Sequence, residues 1–238
     1  DEREKWDSVS NEYKSELLKE GEKFINYDWP PLLATDYLAF SRNGNRSRYN
    51  DQYYERRNAL LTLLIAECLE NKSRFIDDII NGIWVICNEA SWVIPAHNQR
   101  EKEKTISPLP DITKKPIIDL FSAETAALLT LVYYLLNSKL DQETPLINKR
   151  LKYLVKKRLI NPYLKRQFHW MGFEKDKIGN WNPWINSNCL FCILIFEEDP
   201  EKRIAGVKKV MKSLDVHINS YNRDGGCSEG PHYWAHAG

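Results

Sequence analysis

The sequence has almost no net charge, which already narrows the classes of partner. Its 34 Lys and Arg residues balance 33 Asp and Glu residues, for a formal charge of +1. A chain with this balance has no overall field that would attract nucleic acid or an anionic membrane, so affinity for a polyanion must come from a local surface. We therefore expect no nucleic acid among its partners.

Cysteine is also scarce, and its 5 residues are an odd number. The first residues lack the pattern of a secretory signal peptide, and an odd count in a long chain argues against a disulfide framework. Cys189 and Cys192 have CxxC spacing, but no second pair accompanies them and their neighbours are apolar. Buried thiols on a core helix are therefore expected, with no metal or cofactor in this segment.

Internal repeats, low-complexity tracts and linker-like composition shifts are absent as well. Aromatic residues, in contrast, are abundant at 12%, with 8 Trp and 12 Tyr in 238 residues. A chain of this length with 42% hydrophobic residues is typical of a soluble globular protein with a sizeable core. Aromatic rings with a polar tip suit interfaces and clefts that bind sugars.

The apolar residues follow helical spacing almost throughout. Residues 55–70 and 75–89 predict two helices that form a hairpin. Residues 116–136 are apolar enough for a membrane span, but Asp119 and Glu124 interrupt them, so a buried helix is expected and no membrane insertion. The sequence predicts a single all-α domain over residues 1–238, built from antiparallel helical hairpins as a bundle or an (α/α) toroid.

A last helix is predicted after Asp199 and Pro200, because Asp accepts hydrogen bonds from free amides and Pro suits the first helical position. Its apolar residues step by three and four and make one stripe: Ile204, Val207, Met211, Leu214 and Ile218. Two long loops are predicted at residues 91–116 and 168–184. Loops of this length are more often functional than short connections.

Three segments combine residues that could carry chemistry. The first, at a helix exit, places Glu89, Trp92 and His97 beside a turn fixed by Pro95. Each of these residues alone would usually be structural, but active sites favour loops held by rigid elements. The second segment, just before a predicted helix, contains Asn180, Trp181, Asn182 and Trp184. Its amides could cap the helix or hydrogen-bond a substrate carboxylate at the positive end of the helix dipole.

The third segment, residues 224–236, contains Gly and Pro residues that fix the backbone around Glu229, His232, Tyr233 and Trp234. A tyrosine with its ordinary pKa of about 10 needs basic or hydrogen-bonding neighbours before it can act as a base. Residues 149–166 add eight Lys and Arg residues and no acid. This basic run is either a solvated helix face or a wall facing a polyanion.

In this order, the three segments resemble the heparinase II/III family of polysaccharide lyases. The resemblance covers most of the chain and is most specific at the Asn180-Trp181 pair and at DGGCSEGPHYW, with further similarity at residues 42–46, 53–57 and 88–98. It implies an (α/α) toroid followed by an antiparallel β-sandwich domain. It also implies β-elimination of a uronate-containing acidic polysaccharide, such as a glycosaminoglycan or an alginate-like chain.

The resemblance also implies residue roles. Tyr233 would abstract the proton next to the uronate carboxylate, and Asn180 or Asn182 would neutralise that carboxylate, with Asn180 favoured. The implied substrate-binding residues are Glu89, Trp92, His97, Trp181, Trp184, Glu229, His232 and Trp234. The indoles among them could either stack on sugar rings or pack between helices.

The β-sandwich domain, with its further catalytic His and its structural zinc, is not contained in these 238 residues. We therefore expect an incomplete toroid that is inactive alone. The family is bacterial and periplasmic or secreted, while the odd cysteine count leaves a cytoplasmic location open. Two other functions fit the residues: an (α/α)-barrel glycoside hydrolase that uses Glu89 and Glu229 as its two carboxylates, and a non-catalytic glycan-binding helical domain.

Overall fold

The structure, a computed structural model, describes residues 3–99, 105–174, 179–226 and 230. These residues form helices and no strands, which confirms the all-α prediction. The α-helices of the described ranges are α1 (Arg3–Asp7), α2 (Asn11–Glu22), α3 (Ala34–Asn43), α4 (Ser47–Glu70), α5 (Ile76–Cys87), α6 (Leu120–Glu143), α7 (Pro145–Val155), α8 (Asn161–Lys165), α9 (Trp181–Phe196) and α10 (Pro200–Ser220). A π-helical turn, Lys156–Ile160, joins α7 to α8, and 3-10 turns lie at Pro95–His97 and His169–Met171.

Local sequence signals account for several helix boundaries. Helix α4 ends where Asn71 adopts a left-handed conformation with φ 61°, and α5 then packs against α4, which confirms the predicted hairpin. Helix α10 begins as predicted, because the Asp199 side chain accepts hydrogen bonds from the amides of Glu201 (3.0 Å) and Lys202 (3.3 Å). The second predicted loop is too long, since α9 already begins at Trp181.

The helices group into two compact units. The first consists of Asp1–Ala90 and Leu131–Leu151. Its core is formed by apolar residues of α4 and α5, and α2 packs closely on α4 because a β carbon at Gly21 would lie 2.4 Å from that of Ala66. Only a glycine fits at this helix contact, so Gly21 sets how closely α2 approaches.

The second unit consists of Ser91–Thr130 and Lys152–Gly238, with α9 packed on α10. Cys189 and Cys192 of α9 are fully buried. Burial raises the pKa of the Cys192 thiol to about 12, so it carries no thiolate at neutral pH. The prediction of buried thiols on a core helix is confirmed.

The buried face of α10 is not the apolar stripe of the sequence. Ile204, Met211 and Ile218 are more than half exposed. The side that faces the protein instead carries Gly206, Val210, Ser213 and His217. A β carbon at Gly206 would lie 3.0 Å from the Ile193 side chain, so close approach of α9 selects small residues on this side over large apolar ones.

Helix α6 is the described helix long and apolar enough to cross a membrane, with a mean hydropathy of 1.3. Half of that stretch is buried inside the protein. Ala123, Ala126 and Leu129 are fully buried, and the Thr130 hydroxyl donates to the carbonyl oxygen of Ala126 (2.7 Å). These contacts agree with the predicted buried helix.

Candidate functional site

A cavity of about 400 Å³ lies in the second unit. Residues of both long predicted loops line it, among them His97, Gln99, His169, Trp170 and Trp181, and Arg166 of the basic run also lines it. Two imidazoles, one guanidinium and two indoles therefore surround a space large enough for a sugar unit. This volume is within the range of pockets that bind small molecules.

Backbone turns and amide bonds position the segment that carries His97. Ile94 is extended, and Pro95 then begins a 3-10 turn that ends at His97. The Asn98 side chain Nδ2 donates to the carbonyl oxygen of Ser107 (2.9 Å), and the Ser107 amide donates to the carbonyl oxygen of Asn98 (2.8 Å). Asn98 is buried, and these two bonds join it to Ser107 within the same loop.

The His97 imidazole is paired with a buried carboxylate. Its Nδ1 lies 2.8 Å from Oδ2 of Asp119, which is fully buried and precedes α6. The other carboxylate oxygen, Oδ1, accepts from the Ser122 amide (2.8 Å) and so caps α6. Because an ionised carboxylate only accepts hydrogen bonds, Nδ1 carries the hydrogen. Within the described part of the chain, Nε2 is left for a ligand.

Aromatic rings hold the other sides of His97. Its imidazole stacks on Phe121 with ring centroids 5.4 Å apart, and the Trp181 ring lies 4.8 Å away. Trp181 is the first residue of α9 and also lies 6.0 Å from the ring of His169. The first and second candidate segments, 84 residues apart at His97 and Trp181 (181 − 97 = 84), therefore meet at this cavity.

The two candidate amides have different surroundings. Asn182 is fully buried, and its Nδ2 donates to the carbonyl oxygens of Trp170 (3.0 Å) and Ser213 (3.1 Å) and to the Ser213 hydroxyl (2.9 Å). Asn180 lies at the N-cap of α9, where its side chain makes no capping hydrogen bond with a described residue. The capping interpretation therefore holds for neither amide, and Asn182 has the contacts of a core residue.

Two of the candidate indoles pack inside the unit. Trp92 is 2% exposed, with the Arg158 guanidinium 4.6 Å from the centre of its ring. The Nε1 of Trp184 donates to Oε1 of Glu124 (2.7 Å). The pKa of the Glu124 carboxyl is raised, mainly because the group is buried. The hydrogen bond from Trp184 lowers this pKa, and the negative charge of Asp119 raises it further. Packing is therefore the observed role of Trp92, and Trp181 is the candidate indole that faces the cavity.

Glu89 lies in the first unit, inside a buried ion cluster. Its carboxylate binds Nη1 of Arg56 (3.1 Å) and Nη2 of Arg57 (2.5 Å), and the Arg57 guanidinium lies 3.3 Å from the centre of the Tyr53 ring. Burial opposes the charge of Arg57, but the Glu89 carboxylate outweighs it and raises the pKa of Arg57. Both carboxylate oxygens of Glu89 are occupied by guanidinium groups and the side chain is buried, which disfavours the hydrolase alternative for Glu89.

Four candidates, Glu229, His232, Tyr233 and Trp234, lie outside the described residues. No group of three or more His, Cys, Asp or Glu side chains in the described ranges is arranged to hold a metal ion. The catalytic tyrosine and the absence of a cofactor therefore stay predictions.

Sequence reasoning missed Asp119, Arg166 and His169 as members of one site. It treated Asp119 as an interruption of an apolar run and Arg166 as one of many cations in the basic run. The signal at Asp119 is an Asp immediately before a helix with Ser122 in the first turn, a capping pattern. Nothing in the sequence links Arg166 to His97, because that proximity depends on tertiary packing.

Comparison with known proteins adds no relative to this description. Neither the protein-family models nor the curated protein sequences contain a match to the chain. The similarity to heparinase II/III lyases therefore rests on the residues of this sequence alone.

Asp119→Asn is expected to reverse the tautomer of neutral His97. The amide oxygen stays with the Ser122 amide, which turns the new NH₂ group towards Nδ1 of His97. Nδ1 must then accept, so the ring hydrogen moves to Nε2. Nitrogen-15 NMR of the histidine side chains separates the two ring nitrogens. Asp199→Asn changes a capping Asp without a histidine partner and serves as control; an unchanged His97 signal in Asp119→Asn would contradict the assigned pair.

Proposed function

We propose that this chain is the helical part of a polysaccharide lyase that cleaves uronate-containing acidic polysaccharide by β-elimination. The observation that supports the proposal is the meeting of His97 and Trp181, whose rings lie 4.8 Å apart at the cavity. Two of the three segments that carry the resemblance to heparinase II/III lyases thus supply the walls of one pocket. Catalytic residues commonly gather in this way on loops held by rigid elements.

The reaction defines what the site must do. The C–H bond next to the uronate carboxylate breaks, its electron pair forms a C=C bond, and the C–O bond to the neighbouring sugar breaks. The carboxylate opposes this because a second negative charge develops beside it. Hydrogen bonds to the carboxylate that strengthen in the transition state contribute several kcal/mol, about as much as an oxyanion-hole donor.

Asn180 is the proposed neutralising residue and Tyr233 the proposed base. Asn180 precedes Trp181 at the start of α9, whereas the Asn182 amide is committed to backbone carbonyls in the core. Tyr233 would take the proton and return one to the leaving oxygen, which one group can do in both steps. Trp181 would carry a sugar ring.

The proposed architecture is an incomplete (α/α) toroid of antiparallel helical hairpins, completed by a C-terminal β-sandwich domain. The structural zinc that the resemblance implies would lie in that β-sandwich domain. The proposed location is the bacterial periplasm or, for a secreted protein, the medium outside the cell, where acidic polysaccharides occur.

The test is a panel of acidic polysaccharides, including glycosaminoglycans and alginate, with neutral dextran as control. We expect ultraviolet absorbance from unsaturated uronate with at least one acidic polymer when the β-sandwich domain is present, and none with dextran. The 238-residue chain alone should give little or no product. New reducing ends without ultraviolet absorbance would identify a hydrolase, and binding without turnover would identify a glycan-binding domain.

A further inference from the structure

Arg166 is fixed in the wall of the cavity at the end of α8. Its Nη1 donates to the carbonyl oxygen of Pro116 (2.6 Å), and its guanidinium lies 4.6 Å from the centre of the Phe168 ring. Its own carbonyl oxygen accepts from Nζ of Lys209, which closes the end of the helix. Both the backbone and the head group of Arg166 are therefore held before any ligand arrives.

Among the residues that the structure describes, the charge of this guanidinium has no partner of opposite sign. No carboxylate of the described residues lies within ion-pair distance of Arg166, whereas Arg56 and Arg57 both bind Glu89. Asp119, a buried acid of the same unit, is occupied by His97 and by the Ser122 amide. Holding a partly buried charge without a counter-charge is unfavourable, and an anion that entered the cavity would remove that cost.

The other walls of the cavity suit a sugar ring. Trp181 and Trp170 provide apolar surface, and Nε2 of His97 provides an acceptor for the hydroxyl group of a sugar. A guanidinium binds a carboxylate through two parallel hydrogen bonds, which fixes orientation as well as charge. Since Nη1 already binds Pro116, the remaining N–H groups of Arg166 are those available to such a ligand.

We propose that Arg166 is a carboxylate-binding residue of this cavity and that it holds a uronate unit whose ring lies on Trp181. This subsite rests on the proposed polysaccharide lyase function, since it assigns the carboxylate of the same substrate. It differs from the role of Asn180, because Arg166 carries a full charge and contributes to binding in the ground state as well as in the transition state.

The experiment compares Arg166→Gln with Lys165→Gln in the binding of unsulfated glucuronate and alginate oligosaccharides by calorimetry. Both variants remove one positive charge, but Lys165 is exposed at the neighbouring position. We expect Kd to rise about tenfold in Arg166→Gln, which equals about 1.4 kcal/mol, and to stay within about twofold in Lys165→Gln. Arg166→Lys keeps the positive charge but lacks the guanidinium that makes two parallel hydrogen bonds, so its Kd should lie between those of the two Gln variants. Thermal melting followed by circular dichroism checks that each variant folds.

The outcomes separate this subsite from the proposed function. Equal weakening in the Arg166 and Lys165 variants would overturn the subsite, because it would indicate general attraction by the basic run. Normal binding by Arg166→Gln together with lyase activity of the wild-type protein would overturn the subsite and leave the function standing. Weak binding by Arg166→Gln, together with no unsaturated product from the wild-type protein that includes the β-sandwich domain, would support the subsite and reject the lyase.

A comparison of dextran sulfate with alginate tests whether the cavity prefers a sulfate or a carboxylate. Stronger binding of dextran sulfate than of alginate would overturn the carboxylate assignment.

Discussion

Asn182→Ala is expected to lower the free energy of unfolding by about 3 kcal/mol. The substitution removes an amide that donates to the carbonyl oxygens of Trp170, Met171 and Ser213 in a fully buried position. These carbonyl groups would lose a donor where water does not reach, and the smaller side chain would leave a void beside them. Urea denaturation measures the change as a lower midpoint with an unchanged slope.

Asn180→Ala is the matched control for this prediction. Asn180 lies two residues earlier, at the start of α9, and makes no capping hydrogen bond with a described residue. Both residues are buried, but the Asn182 amide donates to three buried carbonyl oxygens, so we expect Asn180→Ala to cost less stability than Asn182→Ala. An equal loss of stability in both variants would contradict this difference. The pair thus tests which of the two asparagines contributes more to the folded core.

Tyr233→Phe is expected to reduce the formation of unsaturated uronate by at least about 100-fold, the smallest factor usual for loss of a general base. The measurement requires the protein with its proposed β-sandwich domain and follows ultraviolet absorbance during polysaccharide cleavage. Phenylalanine keeps the ring and removes only the hydroxyl group, so folding and polysaccharide binding should change little.

Tyr153→Phe provides the control for Tyr233→Phe. Tyr153 is an exposed tyrosine of α7, so loss of its hydroxyl should leave the rate unchanged. An unchanged rate in Tyr233→Phe would reject Tyr233 as the base. Loss of polysaccharide binding in that variant would instead assign the hydroxyl to substrate binding.

Helix type and some helix boundaries could be predicted from the sequence because their causes are short-range. The hairpin of α4 and α5 follows from apolar periodicity, and the start of α10 follows from the Asp199 cap. The buried face of α10 could not be predicted in this way. Periodicity identifies the large apolar residues, whereas close contact with α9 selects Gly206 and Ser213, which no hydrophobic pattern marks.

The candidate site could be predicted only in part for the same reason. Composition drew attention to His97 and Trp181, since both lie in segments rich in aromatic and polar residues. The partner of His97, Asp119, is 22 residues away and lies in a run that reads as apolar. Trp92 stands in the same loop as His97 and looks equally functional in sequence, but burial against Arg158 separates the two. Such distinctions depend on which surfaces meet in the folded unit.

The π-helical turn at Lys156–Ile160 changes the helical phase between α7 and α8. An α-helix turns about 100° per residue, and a π-turn accommodates one additional residue without ending the helix. The side chains of α8 are therefore out of phase, by about one residue step, with the α-helical register of α7. Arg166 then leaves the helix in an extended conformation with φ -126° and ψ 153°, so the cavity obtains its guanidinium from the residue at which this helical stretch ends.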